Sequence, residues 1–176
     1  LEAVLEDLSK VKINCKGKVL VITSTVLPGD TKSKLKPIAQ KVNSKLNGVD
    51  FIYSPEFIAL GSVINDLKNP DFILVGEDKK EAGDLHIKIM KSIVNNKNLP
   101  IRRMSIESAE MSKIAINTYI TSKITFANAI GIAADNIKGC NSQDVLNAIG
   151  SDSRIGIKYF SKGLGYGGPC FPRDNR

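Results

Sequence analysis

The sequence predicts an α/β domain followed by an all-α domain: a parallel sheet that leads into one long central helix and a helical domain. Up to Ser105, short β-branched or aromatic runs alternate with helical segments, the pattern of a parallel sheet with helices on its faces. Beyond it, residues 106–138 contain no proline, and their apolar side chains recur at helical spacing. We therefore divide the chain into a sheet domain, residues 1–105, and a helical domain, residues 106–176.

The elements of the sheet domain follow from its apolar runs and turn residues. The run 18–24 is short and β-branched, which predicts a strand buried on both faces. Pro28-Gly29 ends this strand, and Asp30 or Thr31 is expected to cap the next helix. The elements predicted in chain order are helix 1–12, strand 18–24, helix 31–46, strands 50–53 and 72–75, helix 79–94 and strand 101–105.

The helical domain is predicted around one long helix over residues 106–138, which Gly139 ends. At about 1.5 Å per residue this helix would be roughly 50 Å long, more than a small domain needs to cross itself. Ser142 is expected to cap a shorter helix over 143–149. The tail from Ser161 is rich in glycine and is predicted to be a loop.

Composition argues against two classes of partner. The formal net charge is +7, but the basic residues are spread along the chain and aromatic residues make up only 6%, so no platform for stacking nucleic-acid bases is expected. A diffuse positive field suits an anionic small molecule equally well. No apolar run approaches the ~20 residues of a membrane span. We therefore expect no nucleic acid and no membrane as partner.

The cysteines argue against a metal site and a disulfide scaffold. Cys15, Cys140 and Cys170 are far apart, odd in number and not arranged as a CxxC pair, and His86 is the only histidine. We expect no bound metal, and a reducing, cytoplasmic environment.

The glycine turn that binds the phosphates of a dinucleotide is missing. No strand is followed by GxGxxG at the start of a helix. The nearest match, residues 163–168, runs into Pro169 and Pro172, which should preclude an ordinary helix there.

Cys170 is the residue that most suggests chemistry. It follows a flexible Gly-Gly-Pro segment, and Arg173 and Asp174 come within four residues of it. A neighbouring cation favours the thiolate that covalent catalysis needs, and glycines let the backbone approach a ligand closely. The residues alone leave a buried, inert cysteine equally open.

Other polar residues fall where a ligand could bind. Glu110, Lys113 and Asn117 share one face of the long helix, where an ammonium and an amide could meet an oxyanion. A lysine that reaches solvent beside Glu110 fits the same spacing. Thr25 and Glu56 each follow a strand, and the carboxyl ends of parallel strands are where ligands bind.

The tail segment 165–174, GYGGPCFPRD, resembles the catalytic-cysteine segment of the UDP-glucose/GDP-mannose dehydrogenase family. Further segments agree with the family in order, namely Ser24-Thr25-Val26, Ser54-Pro55-Glu56-Phe57, Glu110 with Lys113 and Asn117, and Ser153-Arg154-Ile155-Gly156. The resemblance spans nearly the whole chain. It implies the later part of an NAD-binding Rossmann domain joined to the family's central domain, without the N-terminal fingerprint and the C-terminal nucleotide-sugar domain.

The resemblance implies an NAD-dependent, four-electron oxidation of a nucleotide sugar, a UDP-hexose or UDP-N-acetylhexosamine, at C6 to the uronate. Cys170 would form a thiohemiacetal and then a thioester, while Lys113 and Asn117 stabilise the oxyanions. Asp174 and Thr25 would order and activate water, and Glu56 would act as acid or base near the nicotinamide.

The resemblance also implies the contacts with cofactor, substrate and partner subunit. Cofactor contacts fall to Thr25, Glu56 and Arg173. Substrate contacts fall to Phe57, Ile58, Lys113, Asn117, Arg154, Gly163, Gly165, Tyr166 and Gly167, and Arg154 could act in its own or in the partner subunit. The long helix forms the dimer core in the family, which implies a homodimer, although an intrachain core helix fits the same pattern.

Leu60 departs from the family pattern, because glucose-oxidising relatives often carry a second carboxylate four residues after the glutamate matched by Glu56. This widens the expected substrate to other nucleotide sugars. Three other functions stay open. They are an NAD-dependent dehydrogenase of the β-hydroxyacid type, which needs no catalytic cysteine, a non-catalytic dimerisation or binding module, and a basic nucleic-acid binder.

Overall fold

A computed structural model describes residues 3–5, 7, 17–42, 48–59 and 61–175. Residues 3–5 and 7 are helical, whereas the rest of the predicted helix 1–12, the end of the predicted helix 31–46, Cys15 and Leu60 lie outside the described residues. The chain divides into two units, Leu1–Lys113 and Ile114–Arg176. The sequence predicts the division near Ser105, just before the long helix. In the structure the boundary along the chain falls within that helix, between Lys113 and Ile114.

A four-stranded sheet forms the first unit, with its strands in chain order: β1 (Val19–Ile22), β2 (Asp50–Tyr53), β3 (Ile73–Glu77) and β4 (Ile101–Met104). Strands β1 and β2 are parallel, and so are β3 and β4, as the sequence predicts. The pair β2–β3 is antiparallel, with Tyr53 opposite Gly76. An antiparallel neighbour needs no crossover over the sheet face, and the described residues between β2 and β3 hold only a six-residue helix.

The helices of the first unit alternate with its strands along the chain. A π-helical turn (Thr31–Leu35) continues as α1 (Lys36–Val42), followed by α2 (Val63–Lys68) and α3 (Lys80–Ile93). The short helix α2 was not predicted, because six residues hold too few turns for a period to show. The long helix α4 (Ile106–Asp135) begins in this unit.

The inner strands β2 and β3 are buried on both faces, whereas β1, for which such burial is predicted, is mostly half-buried, and β4 carries the exposed Arg102. Successive side chains of a strand point to opposite faces, and accordingly Phe51 and Tyr53 belong to one apolar cluster while Ile52 belongs to another. The first cluster includes Leu35, Leu74 and Ile106, and the second includes Val75, Val94 and Leu99.

Gly76 lets the start of α4 pack directly against the sheet. A Cβ atom at Gly76 would lie 2.7 Å from the Cβ of Ala109 and 2.9 Å from the Cα of Ile106, closer than van der Waals contact. The lack of a side chain on β3 therefore sets how near α4 comes to the strands. This contact places the next turn of α4, with Glu110 and Lys113, within reach of the loops at the sheet edge.

The second unit consists of the rest of α4, then α5 (Ser142–Ser151) and the four-residue helix α6 (Phe171–Asp174). Ala127, Leu146 and Phe160 form its buried apolar cluster. None of the helices in the described part of the chain is both long and apolar enough to cross a membrane.

Three local predictions in the second unit are corrected. The helix ends at Asp135, and turns lead from there to Gly139. The cap of α5 is Asn141, whose side chain accepts hydrogen bonds from the backbone N–H groups of Gln143 and Asp144, and not Ser142. The tail beyond Ser161 is not a loop throughout, because Phe171–Asp174 form α6, and Pro172 lies in its first turn, where its missing N–H costs no hydrogen bond.

Candidate active site

The carboxyl ends of β1 and β2 lie at the same edge of the sheet, because these strands are parallel. Thr25, three residues beyond β1, is half-buried, and Glu56, three residues beyond β2, is exposed. The structure thus places these two predicted residues in loops at the edge where ligands bind in parallel α/β sheets.

The segment that carries Glu56 leaves the sheet at a fixed point, Ser54. Its backbone N–H donates to the carbonyl of Ile22 over 2.9 Å, and its hydroxyl donates to the carbonyl of Leu74 over 2.7 Å. Ser54 and Pro55 are both buried. The position of Glu56 therefore depends on contacts with the strands on either side of β2.

Lys113 is buried and reaches this same segment. Its ammonium donates to the backbone carbonyl of Glu56 over 2.7 Å and lies 4.3 Å from the ring centroid of Phe57. A cation over an aromatic face gains more when both are shielded from water. The ammonium of Lys113 therefore forms part of the sheet-edge region around Glu56 and Phe57, where an oxyanion would meet it at low dielectric.

Glu110, one turn earlier on α4, holds the opposite loop. Its carboxylate is fully buried and accepts from the backbone N–H groups of Gly29, over 2.5 Å, and Thr31, over 2.9 Å. The first N–H groups of a helical turn have no acceptor within the turn itself. The Glu110 carboxylate therefore caps this π-helical turn, although Glu110 lies 79 residues beyond Thr31 in the sequence. The expected caps do not act: Asp30 instead pairs with Lys34 over 2.8 Å, and the Thr31 hydroxyl has no hydrogen-bond partner among the described residues.

A buried hydrogen bond joins His86 of α3 to this region, although no pattern in the sequence links the two. The Nε2 atom of His86 lies 2.8 Å from the hydroxyl oxygen of Ser54. Because that hydroxyl donates to Leu74, His86 is the donor of this bond. Burial lowers the pKa of His86, so the ring is neutral near pH 7. Both residues line a cavity of about 50 Å³ bordered by Glu56, Phe57 and Met90.

In the second unit, Asp174 is the centre of a polar cluster. Its side chain is 2% exposed, and its two oxygens accept from the Asn117 amide over 2.6 Å and from Arg173 Nε over 2.7 Å. Three residues predicted for the site are thus brought together. A carboxylate held by an amide and a guanidinium is fixed in orientation, as a group that positions water must be.

Cys170 is exposed and lies one turn before this cluster. Its carbonyl accepts the backbone N–H of Asp174 over 2.9 Å, so the thiol is tied to the carboxylate through one helical turn. The glycine loop before it is exposed throughout, including Gly163, Gly165, Tyr166 and Gly167. Gly165 and Gly168 have φ values of 109° and 83°, which only glycine adopts without strain. Because Cys170 is exposed, the alternative interpretation of a buried cysteine is wrong.

The tail runs antiparallel to α4, and polar side chains of the helix hold it at intervals. Thr121 donates to the side chain of Asn175 over 3.1 Å, and Asn128 accepts from the N–H of Gly163 over 2.7 Å. The segments on both sides of the glycine loop are therefore attached to one helix, while the residues between project from it.

Arg154 and Ile58 present exposed side chains. The Arg154 side chain is 86% exposed, and its guanidinium bonds the carboxylate of Asp152 with a shortest distance of 2.6 Å. That ion pair lowers the pKa of Asp152. Ile58 is 40% exposed, beside Phe57. Within the described residues, no group of three or more His, Cys, Asp and Glu side chains is arranged to hold a metal ion.

The predicted site residues thus fall into two sets, one in each unit. The first unit holds Thr25, Glu56, Phe57, Ile58 and Lys113. The second holds Asn117, Arg154, the glycine loop, Cys170, Arg173 and Asp174.

Comparison with known proteins identifies the family of this fold. Residues 1–98 match the model of the UDP-glucose/GDP-mannose dehydrogenase family's NAD binding domain, and residues 107–176 match that of its central domain. The structure superimposes on that of a UDP-glucose dehydrogenase from the archaeon Pyrobaculum islandicum with a TM-score of 0.82 and 32% identity, over 98% of this chain and 39% of that one.

Curated relatives agree with this match. The chain is 36% identical over 159 residues to UDP-glucose 6-dehydrogenase AglM of Haloferax volcanii, covering 88% of this chain and 37% of the relative. It is 34% identical over 161 residues to GDP-mannose 6-dehydrogenase of Pseudomonas aeruginosa, covering 89% and 36%. The chain thus spans less than two fifths of the length of these relatives. It belongs to the UDP-glucose/GDP-mannose dehydrogenase family, whose NAD-binding and central domains it matches in turn.

Proposed function

We propose that this protein takes part in the NAD-dependent oxidation of a nucleotide sugar at C6 to the uronate, with Cys170 as the nucleophile. The observation that carries this proposal is the exposed thiol of Cys170 one helical turn from the buried Asp174 carboxylate, which Asn117 and Arg173 hold. An accessible nucleophile beside an oriented carboxylate and amide suits acyl transfer to and from sulfur.

The sheet edge fits the cofactor. Thr25 and Glu56 offer a hydroxyl and a carboxylate in the loops after two parallel strands. In the second unit, the resemblance to the family adds the guanidinium of Arg173. We assign the contacts with NAD to these three residues. Bound NAD would supply the hydride acceptor for each of the two oxidations.

The covalent steps fall to Cys170. After the first oxidation, its thiolate forms a C–S bond to the C6 aldehyde carbon while the carbonyl electron pair moves to oxygen. Loss of hydride from C6 leaves a thioester. Water then adds to the thioester carbon and releases its two protons to the solvent, the C–S bond breaks, and the carboxylate leaves as the thiolate is restored. One water is consumed and four electrons leave each sugar.

The other polar residues stabilise charge and move protons. The ammonium of Lys113 and the amide of Asn117 stabilise the oxyanions of the addition steps. Asp174 orders the water that hydrolyses the thioester, together with Thr25, and Glu56 exchanges the proton of the C6 hydroxyl. The substrate is a UDP-hexose or a UDP-N-acetylhexosamine. Its contacts fall to Phe57, Ile58, Arg154 and the loop of Gly163, Gly165, Tyr166 and Gly167.

A seam of exposed residues on α4 supports a homodimer. Within the second unit, exposed positions recur at alternating spacings of four and three, at residues Ala115, Tyr119, Ser122, Phe126, Ala129 and Ala133. This is the seam spacing of paired helices, and the small residues on either side of the two aromatic ones let a partner helix approach closely. We assign the protein to the cytoplasm, where free thiols such as that of Cys170 stay reduced.

The experiment is NADH formation by the native protein with UDP- and GDP-hexoses and their N-acetyl forms. We expect two NADH per sugar consumed with one of them, and a loss of more than about 100-fold in Cys170→Ala, because no other thiol replaces the covalent step. Cys140→Ala is the matched control and should keep full activity. One NADH per sugar, or an active Cys170→Ala variant, would contradict the proposal and favour an ordinary alcohol dehydrogenase.

A further inference from the structure

Lys123 of α4 holds a loop of the second unit by two carbonyl groups at once. Its ammonium donates to the carbonyl oxygens of Ile155 and Gly156, over 2.9 Å in each case. The same ammonium lies 5.7 Å from the ring centroid of Phe160. One cation therefore contacts three points in the short stretch from Ile155 to Phe160.

This stretch belongs to the loop that carries Arg154, between α5 and Phe160. Its N-terminal part is a tight turn in which the carbonyl of Asp152 accepts from the N–H groups of Ile155 and Gly156, over 2.9 Å in each case. Gly156 has φ 76°, and Tyr159 has φ 60°, which is unfavourable for a residue with a side chain. A backbone of this shape persists only when its surroundings hold it.

Further contacts hold the loop at points away from Arg154. At its end, Phe160 is 3% exposed in the apolar cluster with Ala127 and Leu146. In its middle, the side chain of Ile157 packs on Gly150, where a Cβ would lie 2.5 Å from the Ile157 Cδ1. The peptide groups that follow Arg154 are held to α4 by Lys123.

We propose that Lys123 is the positioning residue for Arg154, and that it thereby sets the affinity for the nucleotide sugar. This inference rests on the proposed function, which assigns a substrate contact to Arg154. The exposed guanidinium is held by Asp152 at one side, and the direction in which its side chain leaves the backbone depends on the peptides that Lys123 fixes. A positioned guanidinium loses less side-chain freedom when it binds an anion.

The experiment measures KM and kcat for the nucleotide sugar in the native protein. We expect Lys123→Met, which keeps the length of the side chain and removes its charge, to raise KM about 10-fold while kcat falls less than about 3-fold. Lys123→Arg, which keeps donors for the two carbonyls, should recover most of the KM. Lys138→Met removes an exposed lysine beyond the end of α4 and serves as the matched control.

A double-variant cycle with Arg154→Ala separates positioning from a direct contact. If Lys123 acts through Arg154, Lys123→Met should add less than about 2-fold to the KM of Arg154→Ala. An unchanged KM in Lys123→Met, or an equal increase in both backgrounds, would overturn the inference. So would a normal KM in Arg154→Ala.

Cleavage after Arg154 by an arginine-specific protease tests the loop without using activity. Lys123→Met should be cut there about 10-fold faster than the unmodified protein, and Lys138→Met at the unmodified rate. If the unmodified protein forms no NADH with any nucleotide sugar, the proposed function fails, and with it the link to substrate affinity. Unchanged cleavage in Lys123→Met would show separately that Lys123 does not hold the loop.

Discussion

The amide of Asn117 donates a 2.6 Å hydrogen bond to the carboxylate of Asp174, which is 2% exposed. The bond joins α4 to the short helix that follows Cys170, across 57 residues of sequence. A buried carboxylate needs donors on its oxygens, because an unpaired charge in a protein interior is costly. Asn117 therefore has a structural role in addition to the oxyanion contact proposed for it.

Exchanging these two side chains tests that role. Asn117→Asp should lower the free energy of unfolding by about 2–4 kcal/mol, because it places two carboxylates within hydrogen-bond distance in a buried site. The double variant Asn117→Asp with Asp174→Asn restores one amide and one carboxylate and should recover at least half of the loss. The measurement is denaturant unfolding of the native protein.

Activity should not return with stability in the double variant, because the carboxylate would then lie on α4 and not beside Cys170. A double variant as unstable as Asn117→Asp alone would mean that the two side chains do not form a direct pair. A fully active double variant would instead contradict the role proposed for Asp174.

The regular elements could be predicted from sequence because their signals are local. Strand β2 has the predicted bounds, and α3 and β4 agree within one or two residues, since apolar runs and breakers mark them. The antiparallel pairing of β3 depends on where a connection re-enters the sheet, which no local pattern encodes. The sequence does not distinguish Asn141 from its neighbour Ser142 as the cap, because either side chain can accept a hydrogen bond from the first backbone N–H groups of the helix.

The site residues were predicted through motifs, and their partners were not. Lys113 and Asp174 were named from sequence, but the carbonyl of Glu56 that Lys113 binds lies 57 residues away. Glu110 and His86 make contacts over 79 and 32 residues of sequence, so that only the fold brings the partners together. Spacing along one helix shows which side chains share a face, but not which loop that face meets.

The cap provided by Glu110 should be measurable as stability. Glu110→Ala leaves the part-buried N–H of Gly29 and the buried N–H of Thr31 without their acceptor, and we expect it to lower the free energy of unfolding by about 2–4 kcal/mol. Glu110→Gln keeps one acceptor oxygen and should cost about half as much. Chemical denaturation of each variant gives the comparison.

Glu107 offers the matched control for this prediction. It lies one turn earlier on α4 and pairs with Lys32 over 2.9 Å, with 44% of its side chain exposed. An exposed ion pair contributes little, so Glu107→Ala should change stability by no more than about 1 kcal/mol. Equal losses in the Glu107 and Glu110 variants would show that the buried cap has no special role.

His86 should make stability depend on pH. Burial lowers its pKa in the folded protein, so the unfolded chain binds more protons below the ordinary value of 6.5. Stability contributed by the neutral ring is therefore present above about pH 6.5 and is lost as the pH falls toward the lowered pKa of the folded state. We expect the denaturation midpoint to decrease from pH 7 to pH 5.

Because His86 is the only histidine of the sequence, one substitution removes all histidine titration from the protein. His86→Gln cannot titrate in this range and can still donate a hydrogen bond toward Ser54, so the slope of its midpoint between pH 7 and pH 5 should be smaller. The variant and the unmodified protein are compared by denaturant unfolding at each pH. Identical slopes would mean that another group causes the acid sensitivity.

The exposed seam of α4 should decide the oligomeric state. Tyr119 lies on this seam and is 63% exposed, so Tyr119→Glu would place a charge within the proposed helix–helix contact. We expect the dissociation constant of the dimer to rise at least about 10-fold, as measured by analytical ultracentrifugation.

Ile132 is also apolar, is 58% exposed and lies about 140° around the same helix from Tyr119. Ile132→Glu should therefore leave the dimer intact, and a dimer equally insensitive to both substitutions would place the subunit contact elsewhere.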